Sequence, residues 1–192
     1  MLLQNILPFA HCLLRKALPE GGNALDGTAG NGHDTLFLAQ TAGIRGKVWA
    51  FDIQPQALNN TRCRLQEAGY SNVRFILDGH ENLKQYIPKP LDAAIFNFGW
   101  LPGGDKSLTT RTETSIAALS ATLSLLKENG MLIAVLYPGH ENGKQEAEAV
   151  GQWAKNLPQE QFAFYVTALP TGKTAHPICW HLKNCVKNNC LR

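Results

Sequence analysis

The order of apolar runs in this 192-residue chain predicts an α/β fold, with a seven-stranded, mostly parallel sheet and helices on both faces. Three observations carry the prediction. Strand-like runs alternate with helical patterns five times, which suits a parallel sheet covered on both sides. The first such run, ending at Asp26, passes through a glycine-rich turn into a helix, and the second ends at another acid, Asp52. Finally, two strand-like runs, 161–168 and 177–184, follow each other with no helix between, which places one antiparallel strand at the sheet edge. A single domain covering 1–192 is expected from the length.

The elements follow in order. Leu3, Ile6, Leu7, Ala10, Leu13, Leu14 and Ala17 recur at helical spacing, so residues 3–17 form a helix that Pro19 and Gly21-Gly22 end. Residues 23–26 form a short strand, and a helix opens near Asp34 and stops near Gly43. Lys47 to Asp52 is a strand. Pro55 suits the first turn of the next helix, which runs to Gly69. Val73 to Leu77 is a strand, residues 81–86 a weak helix, and Leu91 to Phe96 a buried strand. A polar loop over 99–110 leads into a helix over 111–128, stopped by Asn129-Gly130. The fifth strand is Met131 to Tyr137, and 143–156 is an amphipathic helix.

Composition narrows the class. A net charge of +3 is mildly basic, compatible with a nucleic-acid partner without indicating one. No apolar run approaches the ~20 residues that span a bilayer, and the N-terminus lacks the order of a signal peptide. The odd set Cys12, Cys63, Cys179, Cys185 and Cys190 has no Cys-x-x-Cys pair and no zinc spacing, so free thiols in a cytoplasmic protein are expected, with no metal.

The turn Asp26-Gly27-Thr28-Ala29-Gly30-Asn31-Gly32-His33-Asp34-Thr35 carries the chemistry. Glycines allow close backbone approach, and a helix start offers free N–H groups. In dinucleotide enzymes these hold a pyrophosphate. Here Asp26 and Asp34 flank the turn and would repel one, so a cofactor bearing an ammonium and a sulfonium, S-adenosylmethionine, fits better. Asp52 is placed for the ribose hydroxyls, Ile53 and Gln54 for the adenine faces, and Asp78, with Gly79 and His80, for the adenine amino group. Asp34, Asp52 and Asp78 also suit turn or helix caps, and for Asp52 the two roles can coexist.

Asn97-Phe98-Gly99-Trp100 ends the fourth strand, where parallel sheets place their chemistry. An Asn followed by aromatics resembles the Asn-Pro-Pro-Tyr type motif of methyltransferases acting on amino nitrogens, with Phe98 and Gly99 replacing the prolines. No cysteine lies between Cys63 and Cys179, which disfavours methylation at pyrimidine carbon, and Asn97 disfavours the lysine-rich set used on ribose oxygens. A nitrogen acceptor remains. An alkylamine is mostly protonated at neutral pH (a lysine has pKa ~10.4), so a site acting on one must remove a proton. His33, His80 and His140 are candidates to relay it, Asp105 to attract the cationic amine, and Asn97 to orient it. Trp100 and Tyr137 could stack on a base.

Seven strands with that late pair resemble the class I methyltransferase fold along the whole chain. More closely, Gly30-Asn31-Gly32-His33-Asp34-Thr35-Leu36-Phe37-Leu38-Ala39, Phe51-Asp52-Ile53-Gln54, Phe96 to Lys106 and Tyr137 to Gly143 occur together in order. As a set they resemble one small bacterial family labelled as rRNA methylases. Members of that family have been assigned as tRNA methyltransferases of the wobble uridine, converting 5-aminomethyl-2-thiouridine to its 5-methylaminomethyl form. Phe98 and Trp100 stand where Leu and Tyr are commoner. The resemblance implies a tRNA anticodon loop as partner, with Trp100, Leu101, Pro102, Asp105, Lys106, Tyr137, Gly139 and His140 at the substrate. Arg15, Lys16, Arg111, Lys173 and Lys183, with Lys106, could hold phosphates. A second copy of the chain is a further candidate partner. The rival readings are an rRNA or small-amine methyltransferase, a nucleotide-cofactor oxidoreductase and a catalytically silent RNA-binding module.

Overall fold

The computed structural model describes residues 6–88, 90–105, 108–168 and 177–185. Its elements, in chain order, are α1 (Ile6–Ala17), β1 (Asn23–Asp26), α2 (His33–Ala42), β2 (Lys47–Asp52), α3 (Pro55–Glu67) and β3 (Val73–Leu77). A 3-10 turn (His80–Gln85) precedes β4 (Leu91–Asn97), followed by α4 (Thr112–Leu125), β5 (Leu126–Leu136), α5 (Glu141–Lys155), β6 (Phe162–Ala168) and β7 (Ile178–Asn184). The seven strands form one sheet in the order β3-β2-β1-β4-β5-β7-β6. Strands β1 to β5 pair in parallel, and β7 runs antiparallel to both neighbours.

Side-chain alternation along the strands divides the core in two. Ala24, Val48, Ile95 and Ile133 point to the face covered by α1 and α2, with Leu14 and Leu38. Leu25, Trp49, Phe51, Phe96 and Ala134 point to the other face, toward Leu119 of α4 and Val150 of α5. Burial on both faces explains why β1, β2 and β4 read as nearly unbroken apolar runs.

Three expectations are corrected. The antiparallel strand is not at the sheet edge: β7 slots between β5 and β6, and β6 is the outer strand. Hydrogen bonding on both sides buries Cys179 and Leu182 of β7, whereas β6 leaves Tyr165 and Val166 exposed. Helix α4 stops at Leu125 rather than at Asn129-Gly130, because Leu126 already pairs with Leu91. The pairing register then shifts, and Asn129 takes a φ of 63° before regular pairing resumes at Met131. Cys185 is disulfide-bonded, against the expectation of five free thiols, while Cys12, Cys63 and Cys179 are free. Lys106, Lys173 and Cys190 lie outside the described residues. Among the described residues no helix is long and apolar enough to cross a membrane.

Candidate active site

The carboxyl ends of β1, β2, β3, β4 and β5 open into one cavity of about 670 Å³, within the ~300–1,000 Å³ usual for ligand sites. Two halves meet there.

The first half is the glycine turn. Asp26 is fully buried beneath it, accepting from the Thr28 amide (3.1 Å) and the Thr35 hydroxyl (2.6 Å). Burial, with Asp34 and Asp52 nearby, pushes its pKa up to about 7. Gly30 and Gly32 take left-handed φ values of 52° and 80°. A Cβ on Gly32 would meet the Thr61 backbone at 2.8 Å, and one on Gly27 the Phe96 ring at 2.0 Å. Those two glycines are therefore demanded by chain packing, and Gly30 is the one of the left-handed pair on the cavity wall. Asp26, Gly32 and Thr35 lie behind the wall, building the turn rather than lining the cavity. Thr28, Asn31, His33 and Asp34 line it.

Asp52, at the end of β2, accepts from the Gly30 amide (2.9 Å) and the Gln54 amide (2.9 Å), and burial raises its pKa. The Ile53 amide also faces this carboxylate, whose two oxygens together offer about four acceptor positions, leaving room for a hydroxyl donor. Ile53, exposed, and Gln54 flank it on the cavity wall. Asp78 lines the cavity too, but its carboxylate is engaged by the Gly79 amide (2.7 Å), the Asn82 side chain (2.9 Å) and the Tyr86 hydroxyl (2.7 Å). These donors hold its pKa low, and its carboxylate ties the start of the 3-10 turn to the Asn82 and Tyr86 side chains. Gly79 and His80 follow on the same wall. His80 Nδ1 donates to the Gly27 carbonyl (3.2 Å), leaving Nε2 a buried acceptor with no partner among the described residues. Burial lowers the His80 pKa, so the ring is neutral.

The second half gathers around Asn97. Its amide N–H donates to Thr28 Oγ1 (2.7 Å), which ties the end of β4 to the glycine turn. Its side-chain NH2 donates to Asp34 Oδ2, and its Oδ1 accepts from the Tyr137 hydroxyl at 3.4 Å. Tyr137 has its pKa pushed up to about 12 by burial and by Asp34, so it is a hydrogen-bond donor and not a base. Phe98 is buried, stacked on Phe96. Trp100 is half-exposed at the rim, its ring 4.5 Å from that of His140. Leu101 and Pro102 complete that side, and the Pro102 carbonyl accepts from the Asn31 side chain at 3.3 Å. Arg111 lines the cavity as well.

The histidines divide by their partners. His140 Nδ1 accepts the Gly143 amide (3.0 Å) and caps α5, so it can take up a proton there only by releasing the cap. His33 is exposed, with Nε2 3.3 Å from the Arg64 guanidinium. Asp105 and Gly139 are exposed and stand off the cavity wall.

Two polar residues escape a reading of the sequence. His11 donates to Asp34 Oδ1 at 2.5 Å. Its signal is its place in the row Leu7, His11, Leu14, a polar ring at helical spacing among core residues. Glu146 is buried in α5 and accepts from Ser115 (2.6 Å) and Thr110 (2.9 Å), anchoring the end of the 99–110 loop. It stands one turn from Gly143 and Val150, an acid on the apolar face.

Comparison with known proteins fits this geometry. Residues 48–183 match the model of the family described as "Putative rRNA methylase". A chloroplastic tRNA (mnm(5)s(2)U34)-methyltransferase of Arabidopsis thaliana is 33% identical over 78% of this chain and 58% of its own length. The chain thus spans less than two thirds of that relative. A crystal structure of the same family description from Clostridium thermocellum superposes with a TM-score of 0.93 at 37% identity, covering 96% of this chain and all of that one (100%). A methyltransferase of Streptococcus mutans, solved in complex with SAH, gives 0.85 at 35% identity over 94% and 98% of the two chains. The fold is that of the class I methyltransferases, and the chain belongs to the putative rRNA methylase family.

Proposed function

We propose that this protein is an S-adenosylmethionine-dependent N-methyltransferase that acts on the aminomethyl group of 5-aminomethyl-2-thiouridine at the tRNA wobble position, giving the 5-methylaminomethyl form. The observation that carries the reading is the Asn97 amide, its oxygen turned to the cavity at the meeting point of the two halves. An amide oxygen there accepts an N–H from the acceptor amine and leaves the nitrogen lone pair free to point along the cavity. The name of the Arabidopsis relative supports the substrate, and the SAH bound by the Streptococcus mutans protein supports the cofactor.

The cavity suits that cofactor on its own chemistry. Its wall carries Asp34, Asp52 and Asp78, a negative lining that favours a cationic ligand and opposes a pyrophosphate, which also argues against the oxidoreductase reading. Asp52 would take the ribose, Ile53 and Gln54 the adenine, and the Thr28 to Asn31 turn with Asp34 the amino-acid end. When bound, S-adenosylmethionine supplies a methyl group on a cationic sulfur. The protein's part is alignment: a fixed acceptor at Asn97 and a wall that brings two ligands within reach, which is worth several kcal/mol of barrier. Trp100 and Tyr137 form the aromatic rim on which an unstacked base would lie. A base already in an anticodon loop costs little to present there.

The test is methyl transfer from labelled S-adenosylmethionine to tRNA bearing the aminomethyl group, read by nucleoside mass spectrometry, with rRNA and free aminomethyl nucleoside as parallel acceptors. Methylation confined to the tRNA nucleoside supports the proposal. No transfer to that tRNA, or transfer to rRNA alone, refutes it.

A further inference from the structure

We propose that His11 of α1 is a positioning residue for methyl transfer: by donating to Asp34 it holds the Asn97 amide with its oxygen turned into the cavity. The inference rests on the role given above to Asn97.

A buried carboxylate decides which way the amide faces. Asp34 is 7% exposed, and its two oxygens meet two side chains, His11 Nε2 on Oδ1 at 2.5 Å and Asn97 Nδ2 on Oδ2. An ionised carboxylate only accepts, so both must be donors, and the end of Asn97 that faces Asp34 is NH2. The two ends of an amide are chemically opposite. With NH2 on Asp34, Oδ1 is left facing Tyr137 and the cavity. The Asn97 backbone is pinned separately by Thr28 Oγ1, so what stays adjustable is the side-chain flip.

Without the His11 N–H, the Asp34 carboxylate loses the donor that fixes Oδ1 and can turn about its side-chain bond. The Asn97 NH2 then has no fixed acceptor to hold it. An amide without that fixed acceptor is free to flip and present NH2 to the cavity. A flipped amide repels the N–H of an acceptor amine and hydrogen-bonds its lone pair, the electrons that must form the new N–C bond. The His11 ring is itself held in place by stacking on Phe37, with centroids 3.9 Å apart and planes 5° from parallel.

The experiment compares H11F, which keeps the stack and removes the donor, with H11Q, which restores an N–H. Both are assayed with the full chain for SAH affinity by calorimetry and for kcat and KM on aminomethyl tRNA. The expected result is a kcat for H11F lower on the order of 100-fold, with SAH affinity and tRNA KM within about threefold of wild type. H11Q recovers most of that loss, and H11F adds nothing in an N97A background. A wild-type kcat in H11F overturns the inference, as does an equal further loss in the N97A background. Loss of SAH binding in H11F and H11Q alike also overturns it, because the role would then be structural. If the wild-type protein methylates no tRNA while binding SAH, the substrate assignment fails instead.

Discussion

The cavity has two halves built by different means. On the cofactor side most bonds engage a backbone group: Asp26 takes the Thr28 amide and Asp52 the Gln54 amide, each two residues away, and the Gly27 carbonyl takes His80 from 53 residues away. Gly30 reaches Asp52 across one βαβ unit. On the acceptor side the contacts are long-range side-chain pairs, Asn97 with Asp34 63 residues away, Tyr137 with Asn97 at 40 and Thr110 with Glu146 at 36. The first half is a backbone device and the second a side-chain device. A backbone device holds its ligand whatever follows in the sequence, whereas a side-chain device can be retuned one residue at a time. That contrast predicts that substitutions in the first half alter cofactor affinity, and those in the second alter turnover and acceptor choice.

The largest expected effect tests the acceptor half. N97A removes the amide proposed to orient the nitrogen, and kcat should fall on the order of 100-fold or more while SAH binding survives. Equal losses in both quantities would dissolve the division between the halves. Next, D52A deletes a charged acceptor, a loss of about 1.5–3 kcal/mol, so the SAH Kd should rise about 10- to 100-fold with kcat nearly unchanged at saturating cofactor. A kcat defect larger than the binding defect would place Asp52 in the chemistry. Third, W100A should raise the tRNA KM about tenfold through lost stacking, with kcat and SAH affinity preserved. An unchanged KM would show that the base lies elsewhere.

The smallest effect concerns Asp26. Its pKa of about 7 in the folded protein, against an ordinary 3.8, means that the folded state keeps the proton to higher pH than the unfolded chain. The wild-type protein therefore loses stability as pH rises from 3.8 toward 7, and D26N, which cannot ionise, does not. The Tm advantage of D26N over wild type should grow across that window to the order of 5 °C and then level off above it. A gap that shrinks as pH rises would contradict the raised pKa that burial gives this acid.

The two halves are unequally legible in the sequence, for the same physical reason. The strand ends at Asp26, Asp52, Asp78 and Asn97 stand out because apolar runs stop where the chain leaves the core. The Gly30 and Gly32 turn stands out because left-handed backbone needs glycine. His11 and Glu146 stay hidden, since each sits in an amphipathic helix where its spacing reads as a slightly imperfect core stripe. The roles of the nearby histidines are also open until their partners are visible: His140 caps α5, and His80 is buried and bonded to the turn.

The sequence by itself determined the alternation of strands and helices, the parallel core and the acid-flanked turn. These depend on periodicity and on local backbone conformation, which neighbouring residues decide. Only the tertiary structure decided that β7 enters the sheet between β5 and β6, that Asp78 spends its carboxylate on the Asn82 and Tyr86 side chains, and that Asp34 stands between His11 and Asn97. Those outcomes turn on which donors meet which acceptors once distant segments pack, and a hydrogen bond between residues 63 positions apart leaves no periodic trace along the chain.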